Sequence, residues 1–294
     1  MNTKLRSYLI GVTWFMLSLF SSSINDIITK YVGLRLHSYE ITFFRFLFGT
    51  ITLIPFIYYH GTKTLRTTRP LVHMVRGILL FCGISGWSYG LTIAKVTTAT
   101  VITFTIPIFV LILGIFFLSE NIIYQRWFAI IIAFGGLAIT IDFNTKDFNW
   151  EMLVFIASAI SFAILDIFNK KFVVKESMIS MLFYSAMITT ILSLPFAICN
   201  WSVPTTRELL LLLILGISAN LILFFILQAF SHTDATAVIP YRYFELIISA
   251  GIAYIIFLEI PDISTIYGAL IVIPLTLFLI YSEKKELNRE YKKL

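Results

Sequence analysis

The chain has 294 residues, of which 59% are hydrophobic and 13% charged, whereas soluble domains average roughly 45–50% and about 25%. A soluble domain of this length has too little interior to bury so much apolar surface, so the composition excludes that class. The formal net charge of +6 does not indicate nucleic-acid binding, because Lys and Arg are concentrated in short polar segments between apolar runs. This segregation of charge is typical of a protein that crosses a membrane many times.

The apolar runs predict an all-α integral membrane protein, since about 20 apolar residues are needed for each membrane-spanning helix. Ten spans are predicted, at residues 8–30, 38–59, 71–93, 97–118, 124–142, 151–172, 178–200, 208–230, 235–258 and 263–282. The last segment, 283–294, is polar and basic and is predicted to be a cytosolic tail.

The first and second halves of the chain resemble each other at a shift of 140 residues. Three aligned pairs carry the similarity: Asp26 and Asp166, Lys30 and Lys170, and Pro55 and Pro195. The repeat predicts one five-span unit over 1–142 and a second over 143–282. The first span belongs to the repeat, so we expect it to be a retained helix rather than a cleaved signal peptide.

Because each half has an odd number of spans, the second half enters the membrane from the opposite side. This arrangement is an inverted repeat, in which the substrate site lies near the bilayer midplane between the halves. Of the 22 Lys and Arg residues, 14 lie on the side of the two termini, five on the opposite side, and three within spans. The excess predicts that both termini are cytosolic.

The ninth span contains the stretch IPYRYFEL, with two charged residues in an apolar segment. Glu245 lies about ten residues into the span, roughly 15 Å deep, where a charge costs about 2.5–3.5 kcal/mol unless a partner or a polar cavity receives it. Arg242 and Tyr241 precede it by three and four residues and share its helical side. Pro240 removes a backbone hydrogen bond and can kink the helix, which frees carbonyl groups.

These residues predict a substrate site, with Tyr243 as a further candidate. The alternative is an Arg242–Glu245 pair that only holds helices together. The corresponding stretch of the fourth span, ITFTIPI, has no charge, and this break in the repeat favours a site for an asymmetric ligand.

Six further candidates are polar or aromatic residues within the other spans. Asp26 and Asp166 are site residues or form local ion pairs with Lys30 and Lys170, four residues later. Arg45 either reaches a cavity or extends to the membrane surface. The remaining candidates are Trp87 and Tyr89, beside a Gly86–Gly90 packing motif, and Asn220, whose alternative role is to join helices.

A glutamate closes the fourth span in the first half, and another closes the equivalent ninth span in the second half. Glu120 ends the run FFLSE and Glu259 ends IIFLE, and a short turn and a final helix follow each of them. We expect both to cap or anchor that turn.

This order of features resembles the EamA-type family of the drug/metabolite transporter superfamily over the whole chain except the tail. The Arg45-Phe46 pair and the junctions at Ala94–Ala99 and Ala229–Ala235 also resemble the family pattern. The chain departs from it at Ser119 and Leu258, where the family often has glycine, and at Leu246, where it often has proline. These departures affect the expected helix bends.

Within the superfamily, the chain is most similar to S-adenosylmethionine uptake transporters of bacteria that live inside host cells. The resemblance implies a secondary transporter of the inner membrane, monomeric or homodimeric, that works by alternating access and in some cases by exchange. Glu245 would meet a cationic centre and Arg242 or Arg45 a carboxylate, while Tyr241, Tyr243 or Trp87 would contact adenine or sulfonium. Amino acids and nucleotide-linked metabolites are alternative substrates, in either direction.

Two other classes of function are alternatives, a membrane-embedded enzyme and a passive channel. The sequence has no HExxH, GxSxG or GxxxxGK[ST] motif and no Cys/His cluster with metal-ligand spacing. We therefore predict no enzyme, no cofactor and no metal. A channel needs a polar pore lining, and no span alternates in that way.

Overall fold

The structure, a computed structural model, describes residues 3–93, 105–120, 123–140, 152–257 and 263–293. These residues form helices and no strands, in agreement with the predicted all-α class. The helices are α1 (Thr3–Val32), α2 (Ser38–His60), α3 (Pro70–Ile93), α4 (Ile106–Phe117), α5 (Tyr124–Thr140), α6 (Met152–Phe172), α7 (Met178–Cys199), α8 (Thr206–His232), α9 (Glu245–Phe257) and α10 (Ile263–Lys293).

Six of the described helices, α1, α2, α3, α6, α7 and α8, are long and apolar enough to cross a membrane. Exposed apolar side chains such as Ile191, 60% exposed, and Phe116, 76% exposed, suit a hydrocarbon surrounding. The chain is therefore a multi-pass membrane protein. Several predicted span ends, at 97–104, 141–142, 151 and 258, lie outside the described residues.

The predicted ninth span is not one helix. Residues Ala235–Val238 form a single α-helical turn, Ile239–Phe244 form a 3-10 helix, and α9 begins only at Glu245. Pro240 lies near the start of the 3-10 helix, where its missing N–H prevents a continuous run of α-helical hydrogen bonds. The kink expected at Pro240 thus takes the form of a 3-10 segment within the predicted span, and it lies at the charged stretch.

The predicted tail is not a separate segment, because α10 runs without interruption to Lys293. The sequence of 283–293 is rich in Glu, Lys, Leu and Arg, which have high helix propensity. A polar helical extension therefore leaves the membrane at the end of α10.

The contacts between helices are symmetric. When each helix is replaced by the helix five positions away in the chain, each of the main contacts becomes another observed contact. Helix α1 packs on α8 as α6 packs on α3, and α2 packs on α8 as α7 packs on α3. The pairs α2 with α7 and α5 with α10 map onto themselves. The two halves are therefore related by an approximate twofold axis, and they interlock through all of these pairs.

The α2–α7 pair and the α5–α10 pair are both antiparallel. The Tyr39 ring at the start of α2 lies 5.3 Å from the Phe196 ring near the end of α7, and Phe128 in α5 lies 6.0 Å from Phe278 late in α10. Equivalent helices that pack antiparallel across a twofold relation have the geometry of an inverted repeat.

A close approach of α2 and α8 fixes the position of Arg45. A Cβ atom on Gly216 would lie 2.7 Å from the Gly49 nitrogen and 2.8 Å from the Arg45 carbonyl oxygen. No side chain fits there without moving a backbone, so glycine allows the two helices to touch. Arg45 is thereby held on the inner part of the contact between the halves.

Candidate functional site

An ion pair joins α6 to the 3-10 segment. Arg242 Nη2 donates a hydrogen bond to Asp166 Oδ2 at 3.0 Å, and the two side chains are only 14% and 5% exposed. The Phe15 ring of α1 lies 6.0 Å from the Arg242 guanidinium carbon, within cation–π distance. The 3-10 geometry thus directs Arg242 towards α6 and α1.

A second acidic pair lies on the other side of Arg242. Glu245, the first residue of α9, lies close to Ser22 of α1 and within electrostatic range of Arg242. Asp26, one turn further along α1, is within electrostatic range of Glu245 and Arg45. Asp26 is exposed, so this group borders a space that solvent can reach.

The structure decides between two of the pairings considered from the sequence. Arg242 is hydrogen-bonded to Asp166 rather than to Glu245. Lys170 is not paired with Asp166, because its Nζ donates to the carbonyl oxygens of Phe230 at 2.9 Å and Thr233 at 2.7 Å. Lys170 therefore caps the end of α8, and Asp166 is left for Arg242.

We refer to Asp26, Arg45, Asp166, Arg242 and Glu245 as the central charge cluster. Its three carboxylates and two guanidiniums carry a formal charge of −1. The Nε atoms of Arg45 and Arg242 are buried and have no hydrogen-bond partner among the described residues. Each arginine therefore retains a donor for a ligand carboxylate.

Two of the predicted aromatic site residues face the helix contacts around this cluster. The Tyr241 hydroxyl lies 2.6 Å from the Tyr8 hydroxyl of α1, and the Tyr243 hydroxyl donates to the Ile130 carbonyl oxygen at 3.4 Å. Both tyrosines are buried. Tyr241 is thus directed to α1 through its hydroxyl, although it is only one residue from Arg242.

The contacts described for Trp87 and Asn220 are with residues outside the central charge cluster. The Trp87 ring meets the Phe155 ring edge-on at 5.5 Å, and Tyr89 is 37% exposed. The Asn220 amide donates to the Gly49 carbonyl oxygen at 2.7 Å, which joins α8 to α2, the alternative role considered from the sequence.

Phe15 and Ser22 were missed by the sequence analysis. Both lie on α1 at helical spacing from Asp26, with separations of eleven and four residues, so all three share one face. That spacing from an intramembrane acid is the signal that could have identified them.

A second polar group, the terminal polar cluster, closes the end of the molecule where α5 begins and α10 leaves the apolar region. Arg126 donates to Glu283 at 2.6 Å and to the Thr236 hydroxyl at 2.7 Å, and Asp234 lies 4.0 Å away. Glu120 accepts from the backbone nitrogens of Ala235 and Thr236, both at 3.0 Å.

The expectation for Glu120 is thereby corrected. It caps the turn at Ala235–Val238 in the second half of the chain, whose first N–H groups have no partner within the turn, instead of the turn that follows it. Glu259 lies outside the described residues. The terminal polar cluster therefore ties the two halves together.

The fold and the paired halves define a class of membrane transporter. The EamA-like transporter family matches residues 9–141 and 149–281, once for each half. The chain belongs to this family, which confirms the predicted transporter and the two repeats.

Relatives of known name match nearly the whole chain. The S-adenosylmethionine uptake transporter of Rickettsia felis is 60% identical over 292 residues, 99% of either chain, and that of Rickettsia bellii is 61% identical over 290 residues, 99% of this chain and 100% of that one. The pseudopaline exporter CntI of Pseudomonas aeruginosa is 27% identical over 267 residues, 90% of this chain and 93% of that one. A solved crystal structure shares the fold, with a TM-score of 0.76 at 18% identity over 92% of this chain and 94% of that one.

Proposed function

We propose that this protein takes up S-adenosylmethionine across a bacterial inner membrane by alternating access, with ten spans and both termini in the cytosol. The main support for this substrate is the identity of about 60% to S-adenosylmethionine uptake transporters over nearly the full chain. The central charge cluster supports the same substrate by its chemistry.

S-adenosylmethionine has a sulfonium, an ammonium and a carboxylate, and so one net positive charge. The formal charge of −1 on the central charge cluster is opposite in sign to that of the substrate. Glu245 and Asp26 are placed to receive the cationic groups, and the free Nε donors of Arg45 or Arg242 are placed to receive the carboxylate. Phe15 packs against Arg242 and helps to hold its guanidinium in place.

The terminal polar cluster supports alternating access. It joins the halves at the end of the molecule that carries the start of α1, the cytosolic end in the proposed orientation. In this arrangement the site is closed towards the cytosol, and substrate release requires these contacts to open as the halves rock.

The proposal is tested by uptake of labelled S-adenosylmethionine into proteoliposomes, with unlabelled competitors and an arm preloaded with internal substrate. We expect saturable uptake that only close analogues inhibit, and acceleration by internal substrate if the protein exchanges. The Glu245→Gln variant is expected to lose uptake while still inserting, because it removes a charge of the central cluster.

The matched control is Glu208→Gln, the same change at a carboxylate that pairs with Arg35 and belongs to neither polar cluster. It is expected to keep most of the uptake. Absence of uptake by inserted wild-type protein would reject the substrate, and unchanged uptake by Glu245→Gln would reject the site.

A further inference from the structure

A lipid-facing groove lies between α3 and α7, away from the central charge cluster. It has a volume of about 410 Å³ and is lined chiefly by apolar side chains, among them Pro70, Met74 and Ile191. Met74 is 53% and Ile191 60% exposed, so the groove opens on the face that the surrounding hydrocarbon contacts. An apolar channel in this position suits an acyl chain.

Two basic residues lie against one aromatic ring beside the groove. The Arg69 guanidinium carbon is 5.5 Å and the Lys175 ammonium 5.9 Å from the centre of the Phe172 ring. Both residues are exposed, and within the described ranges neither forms an ion pair. Cation–π contact does not neutralise the two positive charges, which lie at most 11.4 Å apart, the sum of the 5.5 Å and 5.9 Å distances.

The backbone around Arg69 is held in place at the groove. Tyr184, which lines the groove, donates its hydroxyl proton to the Leu65 carbonyl oxygen at 3.0 Å. The Arg69 nitrogen donates to the hydroxyl of Thr67, another lining residue, at 2.9 Å. The backbone of Arg69 is therefore fixed directly before the start of α3 and next to the groove wall.

The acidic residue that follows Lys175 does not neutralise this site. The Glu176 side chain is only 5% exposed and points inwards, with its Oε2 atom 3.4 Å from His73 Nε2. Lys63 and Arg66 on the same segment are exposed and add further positive charge. The groove thus ends at a fixed, positively charged rim.

We propose that this site binds one anionic phospholipid, with an acyl chain in the groove and the phosphate on Arg69 and Lys175. Guanidinium and ammonium groups bind phosphate by charge-assisted hydrogen bonds, and basic pockets between membrane helices select anionic headgroups. A zwitterionic lipid offers the same chain but no net charge, so charge complementarity favours the anionic class.

The test uses purified full-length protein in mixed micelles with equal phosphatidylglycerol and phosphatidylcholine, and native mass spectrometry counts the retained lipids. We expect one phosphatidylglycerol on the wild-type protein. Arg69→Gln and Lys175→Gln should each weaken its retention about fivefold, the factor that corresponds to about 1 kcal/mol per basic residue at an anionic surface.

Arg207→Gln is the matched control, because Arg207 also lies over an aromatic ring, with its guanidinium carbon 5.4 Å from the centre of the Tyr31 ring, but does not line the groove. A second pair of variants tests the acyl chain. Ile191→Trp fills the groove and should displace the lipid, whereas Ile198→Trp changes an equally exposed residue of α7 that is not in the groove wall.

Equal retention of the two lipids by the wild-type protein would overturn the proposal, and so would equal loss in Arg69→Gln and Arg207→Gln. Both readings are independent of transport, so the lipid site and the proposed substrate are judged separately.

Discussion

Asp166 and Arg242 show what a buried charge requires of its neighbours. Removal of two charges from water costs several kcal/mol per ion, and their mutual attraction repays this only when the geometry is good. Here a single hydrogen bond of 3.0 Å links the pair, and Arg242 Nε stays without a protein partner. The pair therefore joins two elements but leaves one hydrogen-bond donor of Arg242 without a partner. Such a donor is expected at a site that receives a ligand.

Single and double substitutions distinguish a purely architectural pair from a site. Asp166→Leu alone or Arg242→Met alone leaves one buried charge uncompensated and is expected to destabilise the protein by about 3–5 kcal/mol. The double variant is expected to recover most of the stability, since both charges are removed. Thermal unfolding in detergent measures this as the shift of the apparent Tm.

Transport separates the two roles. If the central charge cluster binds substrate, the double variant stays inactive although its stability is recovered. Normal uptake by the stable double variant would show that the pair serves only to join helices.

The sequence identifies the charges and leaves their partners open. Charged residues in apolar spans are rare enough to be recognised directly, and all five members of the central charge cluster were predicted. Whether Arg242 pairs with Glu245 or Asp166 depends on the rotation of one element relative to another, which helical spacing within a single segment does not fix. Lys170 illustrates the same limit, because its partners are carbonyl groups some 60 residues away in the chain.

At the scale of the elements, the broken segment before α9 sets the directions of the functional side chains. The 3-10 helix has fewer residues per turn than the α-helical pieces on either side of it, so Tyr241, Arg242 and Glu245 are directed to three different neighbours. A continuous α-helix would place these side chains on one face.

Replacement of the proline tests this role. Pro240→Ala restores a backbone N–H and favours a continuous α-helix through residues 235–257, which would turn Arg242 away from Asp166. We expect uptake to fall at least about tenfold, a cost of about 1.4 kcal/mol, while insertion is kept.

Pro55→Ala is the matched control, since Pro55 lies within continuous α2 and is exposed. Uptake by this variant is expected to stay near the wild-type rate. Full activity in Pro240→Ala would show that the break is not needed for the site.

The sequence predicted a kink at Pro240 but not a segment of 3-10 helix, because a proline in a membrane helix does not by itself fix the local geometry. Pro55, Pro195 and Pro274 all lie inside uninterrupted helices, as membrane helices permit when neighbouring groups satisfy the freed carbonyls. Only contacts from other helices distinguish Pro240 from these three. The apolar runs themselves, in contrast, predict the described helices closely, because the bilayer thickness sets their length.

At the scale of the molecule, the repeat in the sequence and the symmetry of the contacts agree. The similarity at a shift of 140 residues predicted equivalent halves, and the packing exchanges each helix with the one five positions away. The orientation in the membrane rests on the distribution of Lys and Arg, which acts during insertion and leaves no mark on helix packing.

Labelling of single cysteines tests the orientation. In a background with Cys82→Ala and Cys199→Ala, Lys63→Cys is expected to react with a membrane-impermeant maleimide only after the membrane is opened. Asn200→Cys, directly after the last residue of α7, is expected to react in intact cells. Both positions are exposed, and the reverse pattern would invert the proposed topology.

The central charge cluster is divided between the halves in a particular way. Asp26 and Arg45 belong to α1 and α2, whereas Asp166 and Arg242 both belong to the second repeat. Opposite charges thus lie together within each half, whereas Glu245, close to Ser22, and Arg242, over the Phe15 ring, both reach across to α1. If the halves rock as proposed, the hydrogen bond between Arg242 and Asp166 can persist through the motion, because both residues move with the second half.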